Sequence, residues 1–150
     1  MIALLQRVTR ADVAVSGERI AEIGRGLLVL VGVARGDSDA DATRLAERLL
    51  AYRVFPDAGG RMNLSVRDVG GSVLLVPQFT LVADTSGGLR PSFSSAAPPE
   101  VGAAMFERLA AQVLASGVRS ACGRFGADMQ VTLTNDGPVT FWLETGPREA

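Results

Sequence analysis

The residues best suited to chemistry in this chain are Gln78 and Thr80, which follow the run Ser72-Val73-Leu74-Leu75-Val76-Pro77. An amide and a hydroxyl at a strand end can line a pocket. Two successive backbone N–H groups there can form an oxyanion hole. The plainer reading is a strand stopped by proline, with exposed polar residues after it. Thr80 as a nucleophile needs a base. Asp84 is the nearest carboxylate in sequence, and no spacing rule pairs the two.

Two absences narrow the chemistry further. The chain has no histidine and no lysine; all 15 basic residues are arginine. That excludes Ser-His-Asp and Cys-His machinery, His-bearing metal sites, Ser-Lys dyads, Schiff bases and the P-loop lysine. The remaining acid–base side chains are Asp, Glu, Tyr52 and Cys122. Otherwise an enzyme of this composition works through backbone dipoles and groups of its substrate. Asp37, Asp39 and Asp41 read as charges at a helix start rather than metal ligands. No metal and no cofactor is expected.

Three other stretches invite a functional reading. Thr134-Asn135-Asp136-Gly137-Pro138-Val139-Thr140 lies between two apolar runs, and Asp-Gly between such runs is a strong hairpin signal. Pro138 is the anomaly, since it lacks the N–H a ladder needs and restricts Gly137 before it. Arg90, in Leu89-Arg90-Pro91-Ser92-Phe93, can hold a phosphate or can be a solvated loop arginine. Gly123 to Met129 carries two glycines around Arg124 and Phe125, without the spacing of a dinucleotide loop. Cys122 beside it reads as a small core residue.

The elements that must position these residues follow from periodicity. Strands are predicted over 1–9, 11–15 and 19–23, the last two flanking a short turn at Ser16-Gly17-Glu18, and over 27–33. Ser38 with Asp41 makes a capping-box-like start to a helix carrying Ala42, Leu45, Leu49 and Tyr52 on one face. A buried strand at 72–76 follows, then a Ser/Gly/Pro-rich loop at 84–99. Val101, Met105, Leu109 and Val113 form the apolar stripe of a second helix, stopped at Gly117. Further strands are predicted near 118–122, 129–134 and 139–144. The fold class is mixed α/β, with mostly antiparallel strands and about two main helices covering one face.

Bulk properties set the remaining bounds. A length of 150 residues suggests one domain, 1–150, with a sizeable core. Hydrophobic residues make up 47% and charged ones 21%, as in soluble globular proteins. No apolar run approaches the roughly 18 residues of a membrane span, so no membrane partner is expected. The first residues carry no basic stretch of the signal-peptide kind. One cysteine excludes an internal disulfide, and a cytoplasmic location fits. The net charge of −1 gives no global basic field for a long duplex. A short nucleic-acid end needs only a few local arginines.

Together, MIALLQRVTRA, GLLVLVGV, MNLSV, GGSVLLVPQFTL, LRPSF, GRFGADM and NDGPVTFWLE, in this order, resemble the D-aminoacyl-tRNA deacylase family. The resemblance runs from residue 1 to about residue 144. Its most specific motifs are Gln78-Phe79-Thr80 and Asn-x-Gly-Pro-x-Thr at Asn135 to Thr140. It implies a compact three-layer β/β/α fold and a cytoplasmic homodimer that binds the acceptor end of aminoacyl-tRNA. The implied reaction is hydrolysis of the ester joining a D-amino acid to the terminal ribose, with mischarged glycyl-tRNA as a second substrate.

The resemblance also assigns roles. Gly137-Pro138, held cis, would reach from one subunit into the other's active site and exclude an L side chain, supported by Asn135, Val139 and Thr140. Backbone N–H groups at Phe79 and Thr80 would hold the ester carbonyl. Gln78 and Thr80 would line the pocket, Arg7 would brace the Gly-Pro loop, and Phe125 and Met129 would form the pocket wall or adenine contact. One departure stands out: Pro77 replaces the family's usual serine. A sibling branch with proline at this place edits L-alanyl-tRNA.

Overall fold

The computed structural model describes residues 1–146. Its organising element is β1, Ile2–Val15, a single strand of 14 residues. One edge of β1 is shared by two partners. Its first half pairs with β3, Gly26–Gly32, and its second half with β2, Glu18–Ile23. Ser16 and Gly17, both at positive φ (52° and 80°), make the two-residue turn between β1 and β2. The other edge of β1 pairs antiparallel with β8, Gln130–Glu144.

The remaining strands are parallel. β3 pairs with β6, Ser72–Pro77, and β6 with β7, Ser120–Cys122. Parallel neighbours need a crossover, and each crossover here carries a helix. Helix α1, Asp39–Ala51, lies between β3 and β6, and α2, Pro99–Ala115, lies between β6 and β7. Right-handed crossovers stepping in one direction put both helices on one face of the sheet. There they meet: Arg108 Nε is 2.9 Å from Asp39 Oδ1, and Gln112 donates to Thr43 Oγ1 at 2.7 Å. A small hairpin, β4 (Phe55–Pro56) with β5 (Met62–Leu64), completes the strands of the described residues.

Two apolar interiors follow from this arrangement. Ala3, Leu5, Val29, Leu75, Leu45, Leu49, Leu109 and Val113 fill the space between sheet and helices. Val8, Ala11, Val13, Ile23, Leu28, Leu74 and Val76 form a second interior on the other side of β3 and β6. β1 supplies both, because its second half crosses over the sheet with β2 and the start of β8. The layers are therefore β, β and α. Each fully buried leucine contributes about 1.5–3 kcal/mol.

Local signals explain the helices. Ser38 and Asp41 form the full capping box, each side chain accepting the other's backbone N–H. Met105, Leu109 and Val113 are buried on α2 as their spacing predicts, whereas Val101 is exposed.

The predicted hairpin at Thr134–Thr140 is corrected by the structure. β8 does not reverse: it pairs with β1 from Ala14↔Gln130 to Ile2↔Glu144 in one direction. Between the pairs Val8↔Asn135 and Gln6↔Thr140, β1 has only Arg7 where β8 has Asp136, Gly137, Pro138 and Val139. The Asp-Gly-Pro segment is thus an outward bulge in a long strand. A proline is tolerated there because no ladder hydrogen bond is asked of it.

Candidate active site

The parallel strands β3, β6 and β7 all end at the same side of the sheet, where open α/β sheets place their ligands. A cavity of about 470 Å³ opens there. Val76, Pro77, Gln78 and Phe79 form one wall, and the Phe125–Met129 segment with Val131 forms another. The start of α2 and the loop before it, at Ala96, Ala97 and Pro99, close the third side. Among the described residues, Asp128 is the only ionisable side chain lining it. Sequence reasoning brings Gln78, Phe79, Phe125 and Met129 to this place. It misses Ala96, Ala97 and Pro99, which carry no chemical signal of their own.

After Pro77 the chain turns into a single 3₁₀ turn, Phe79–Val82. Gln78 N–H donates to the Val31 carbonyl at 2.7 Å, anchoring the turn to β3. The first bonds within and after the turn are Leu81 N–H to Gln78 O and Ala83 N–H to Thr80 O, both 3.2 Å. The N–H groups of Phe79 and Thr80 precede these bonds, so the turn leaves them for another acceptor. The Gln78 side-chain amide donates to Thr80 Oγ1. Asp84 Oδ1 instead receives Ser86 N–H and Oγ at 2.9 and 2.6 Å. Thr80 therefore has an amide, not a base, at its hydroxyl.

Aromatic rings frame the mouth. Phe79 is 57% exposed and meets Phe93 of the long loop, centroids 5.1 Å apart and tilted by 55°. Arg35 Nε holds that loop through the Ser94 carbonyl at 2.8 Å. Arg90 is exposed. Phe125 leans on α2 at Gly102, where an added Cβ would lie 3.2 Å from Phe125 Cζ. Gly102 thus sets how closely the Phe125 wall approaches the helix. Burial pushes the Cys122 thiol above its ordinary range, as expected of a core residue.

The second predicted group lies apart from this cavity, on the β8 bulge. Asn135 spans it: Oδ1 accepts Val139 N–H at 2.9 Å, and Nδ2 donates to Thr140 Oγ1 at 3.0 Å. Arg7, 12% exposed at its side chain, fills the space beneath. It donates through Nε to the Asp136 carbonyl at 3.0 Å and through Nη1 to the Val54 carbonyl at 2.7 Å. Val139 is buried in the helix-side core, while Gly137 and Pro138 are exposed. The bond between them is cis. Gly137 has φ of 142°, and a Cβ there would come within 2.6 Å of Val139 Cγ2. Only glycine fits that position. Neither Gly137 nor Pro138 lines the cavity of its own chain.

Residues 4–144 match the family model described as D-Tyr-tRNA(Tyr) deacylase. The chain belongs to that deacylase family. It is 63% identical over 147 residues to the D-aminoacyl-tRNA deacylase of Nitrosococcus oceani, covering 98% of this chain and 95% of the relative. The corresponding protein of Alkalilimnicola ehrlichii is 60% identical over 150 residues, covering 100% of both chains. Among solved structures, the c-Myc DNA Unwinding Element Binding Protein superposes with a TM-score of 0.91 at 39% identity, covering 97% of this chain and 99% of that one. A probable eukaryotic D-amino acid tRNA deacylase superposes with a TM-score of 0.82 at 20% identity, covering 95% and 97%, a likeness of fold alone.

As a deacylase, the chain is an ester hydrolase. Phe79 lines the cavity, and Thr80, next to it in the turn, is not among the lining residues. The deacylase family's two motifs fall on two surfaces of one chain. Gln78 and Phe79 line the cavity with Thr80 beside them in the turn, and Asn135 to Thr140 form the bulge.

Proposed function

We propose that this protein hydrolyses the ester between a D-amino acid and the terminal ribose of tRNA, and that it treats mischarged glycyl-tRNA likewise. The observation that carries this reading is a cavity with two uncommitted N–H groups at its strand end and a single carboxylate, Asp128, in its lining. Such a site stabilises an oxyanion and supplies no strong side-chain nucleophile. It suits a substrate that is already a labile ester. Water attacks the ester carbonyl, the Phe79 and Thr80 N–H groups hold the oxyanion, and the vicinal 2′-hydroxyl of the ribose helps activate the water. Gln78 and Thr80 position the aminoacyl group, while Phe125 and Met129 face the adenosine.

Selectivity belongs to the bulge. In a homodimer, Gly137-Pro138 of one subunit faces the cavity of the other, and its two carbonyls stand where an L side chain would point. A D side chain points away, and glycine has nothing to exclude. This is discrimination by clash. The support for it is a bulge fixed by Asn135 and Arg7 and pointed outward from its own chain. Residues 1–150 act as one domain of a cytoplasmic enzyme, bound to its substrate through the acceptor end.

Pro77 favours a second reading, editing of L-alanyl-tRNA, because it lines the cavity where the family's usual serine would stand. Deacylation of the D- and L-forms of one aminoacyl-tRNA, with L-alanyl-tRNA alongside, separates the readings. Hydrolysis of the D-form with the L-forms intact is expected. Preferential hydrolysis of L-alanyl-tRNA would support the second reading. No hydrolysis of any ester would leave a non-catalytic RNA-end binding module.

A further inference from the structure

Strand β7 is the last strand of the sheet beyond β6, so one of its edges is unpaired. Arg119 stands immediately before it and Arg124 shortly after it, both exposed. Between them Ser120, Ala121 and Cys122 are half-buried, small and uncharged. Among the described residues, no ion pair is found for Arg119 or Arg124. Arg124 adjoins Phe125 at the mouth of the cavity. At the other end of β7, Arg119 and Arg67 line a second depression of about 430 Å³ with Gly70, Gly71, Ser72 and Ser116. Among the described residues, no carboxylate lines it. The nearest in sequence, Asp68, accepts Ser65 N–H at 2.8 Å, and that bond, with the nearby charges of Arg53 and Arg67, holds its carboxyl below the ordinary range.

We infer that the outer edge of β7 is the track for the 3′ strand of the tRNA, with Arg124, Arg119 and Arg67 binding its phosphates. The inference rests on the reading that the cavity takes the aminoacylated 3′ end. Lengths agree with it. Arg119 and Arg124 are five residues apart, about 17 Å at strand rise. A stacked strand advances about 3.4 Å per nucleotide, so the track spans about five nucleotides back from the terminal adenosine. That covers an unpaired tail and reaches the first base pair of the stem. Arg119 and Arg124, without carboxylate partners among the described residues and separated by small neutral side chains, fit a phosphodiester backbone and read no base. A nearly neutral protein can in this way hold a highly charged RNA by one narrow edge.

Uncharged tRNA binding tests the track without needing hydrolysis. The Arg67→Ala/Arg119→Ala double variant alters two exposed side chains and leaves the Arg119 carbonyl bond to Val73 N–H in place. Its tRNA affinity should fall about 10-fold at moderate salt. The slope of log affinity against log salt should become shallower by about 0.7 per lost phosphate contact. The ratio of kcat/KM on aminoacyl-tRNA to kcat/KM on a short aminoacyl-adenosine ester should fall in parallel, because the short ester does not reach Arg119. Unchanged tRNA affinity and salt slope would overturn the track, even if the wild type hydrolyses D-aminoacyl-tRNA as proposed. A wild type that binds tRNA through these arginines but cleaves neither ester would keep the track and remove the hydrolase reading.

Discussion

At the residue scale, the candidate site offers backbone N–H groups and no side-chain base for Thr80. Thr80 has the Gln78 amide at its hydroxyl, and Asp84 is committed to Ser86. Thr80→Ala should therefore keep kcat within about 10-fold of wild type, since hydrogen-bonding and positioning losses are of order 1 kcal/mol. Single-turnover hydrolysis of a D-aminoacyl-tRNA measures this, and complete loss with intact folding and binding would reinstate a threonine nucleophile. Gly102→Ala tests the Phe125 wall. Alanine should gain up to about 1 kcal/mol of helix stability while raising KM several-fold, as Phe125 is displaced toward the cavity. A thermal melt and a KM-against-kcat comparison report the two effects separately. Cys122, its thiol pushed up by burial, should alkylate at pH 8 at least about 10-fold more slowly in the folded protein than in denaturant. Gln78 could be read as a pocket residue because a polar side chain at a strand end carries a chemical signal, whereas Phe125 and Met129 were reached only through the family resemblance. Ala96, Ala97 and Gly102 could not be read, because their contribution is the volume they leave empty.

At the scale of elements, the decisive feature is the bulge in β8. The sequence reads as two strands around a turn, and both strands exist. What it does not show is that they continue in one direction, because local pattern reports alternation and not the partner. The long-range partner, β1, fixes the outcome by leaving Arg7 alone opposite four residues. Asn135→Ala removes both hydrogen bonds that span the bulge and should cost about 1–2 kcal/mol of stability. Its larger effect should be on selectivity: hydrolysis of the L-form should rise relative to the D-form as Gly137-Pro138 loses its fixed position. Rates on both enantiomers measure this, and an unchanged ratio would show that Asn135 does not set the bulge. The helices were legible in detail, from the Ser38 box to the Leu109 stripe, because caps and periodicity are local. The parallel pairing of β3, β6 and β7 was not, since a crossover leaves no mark in the strands it connects.

At the scale of the whole molecule, one long strand joins two interiors, and the site lies where the parallel strands end. The Phe79–Thr80 turn and the Gly137-Pro138 bulge are on separate surfaces of a single chain, so the proposed selectivity requires a second copy of the chain. The most direct measurement is a crystal structure with a non-hydrolysable D-aminoacyl-adenosine analogue bound. The aminoacyl carbonyl should sit within hydrogen-bond distance of the Phe79 and Thr80 N–H groups, with the carbonyls of Gly137 and Pro138 from the partner subunit facing its α-carbon. An analogue bound in the cavity with both subunits' Gly137-Pro138 pairs remote from it would contradict the account.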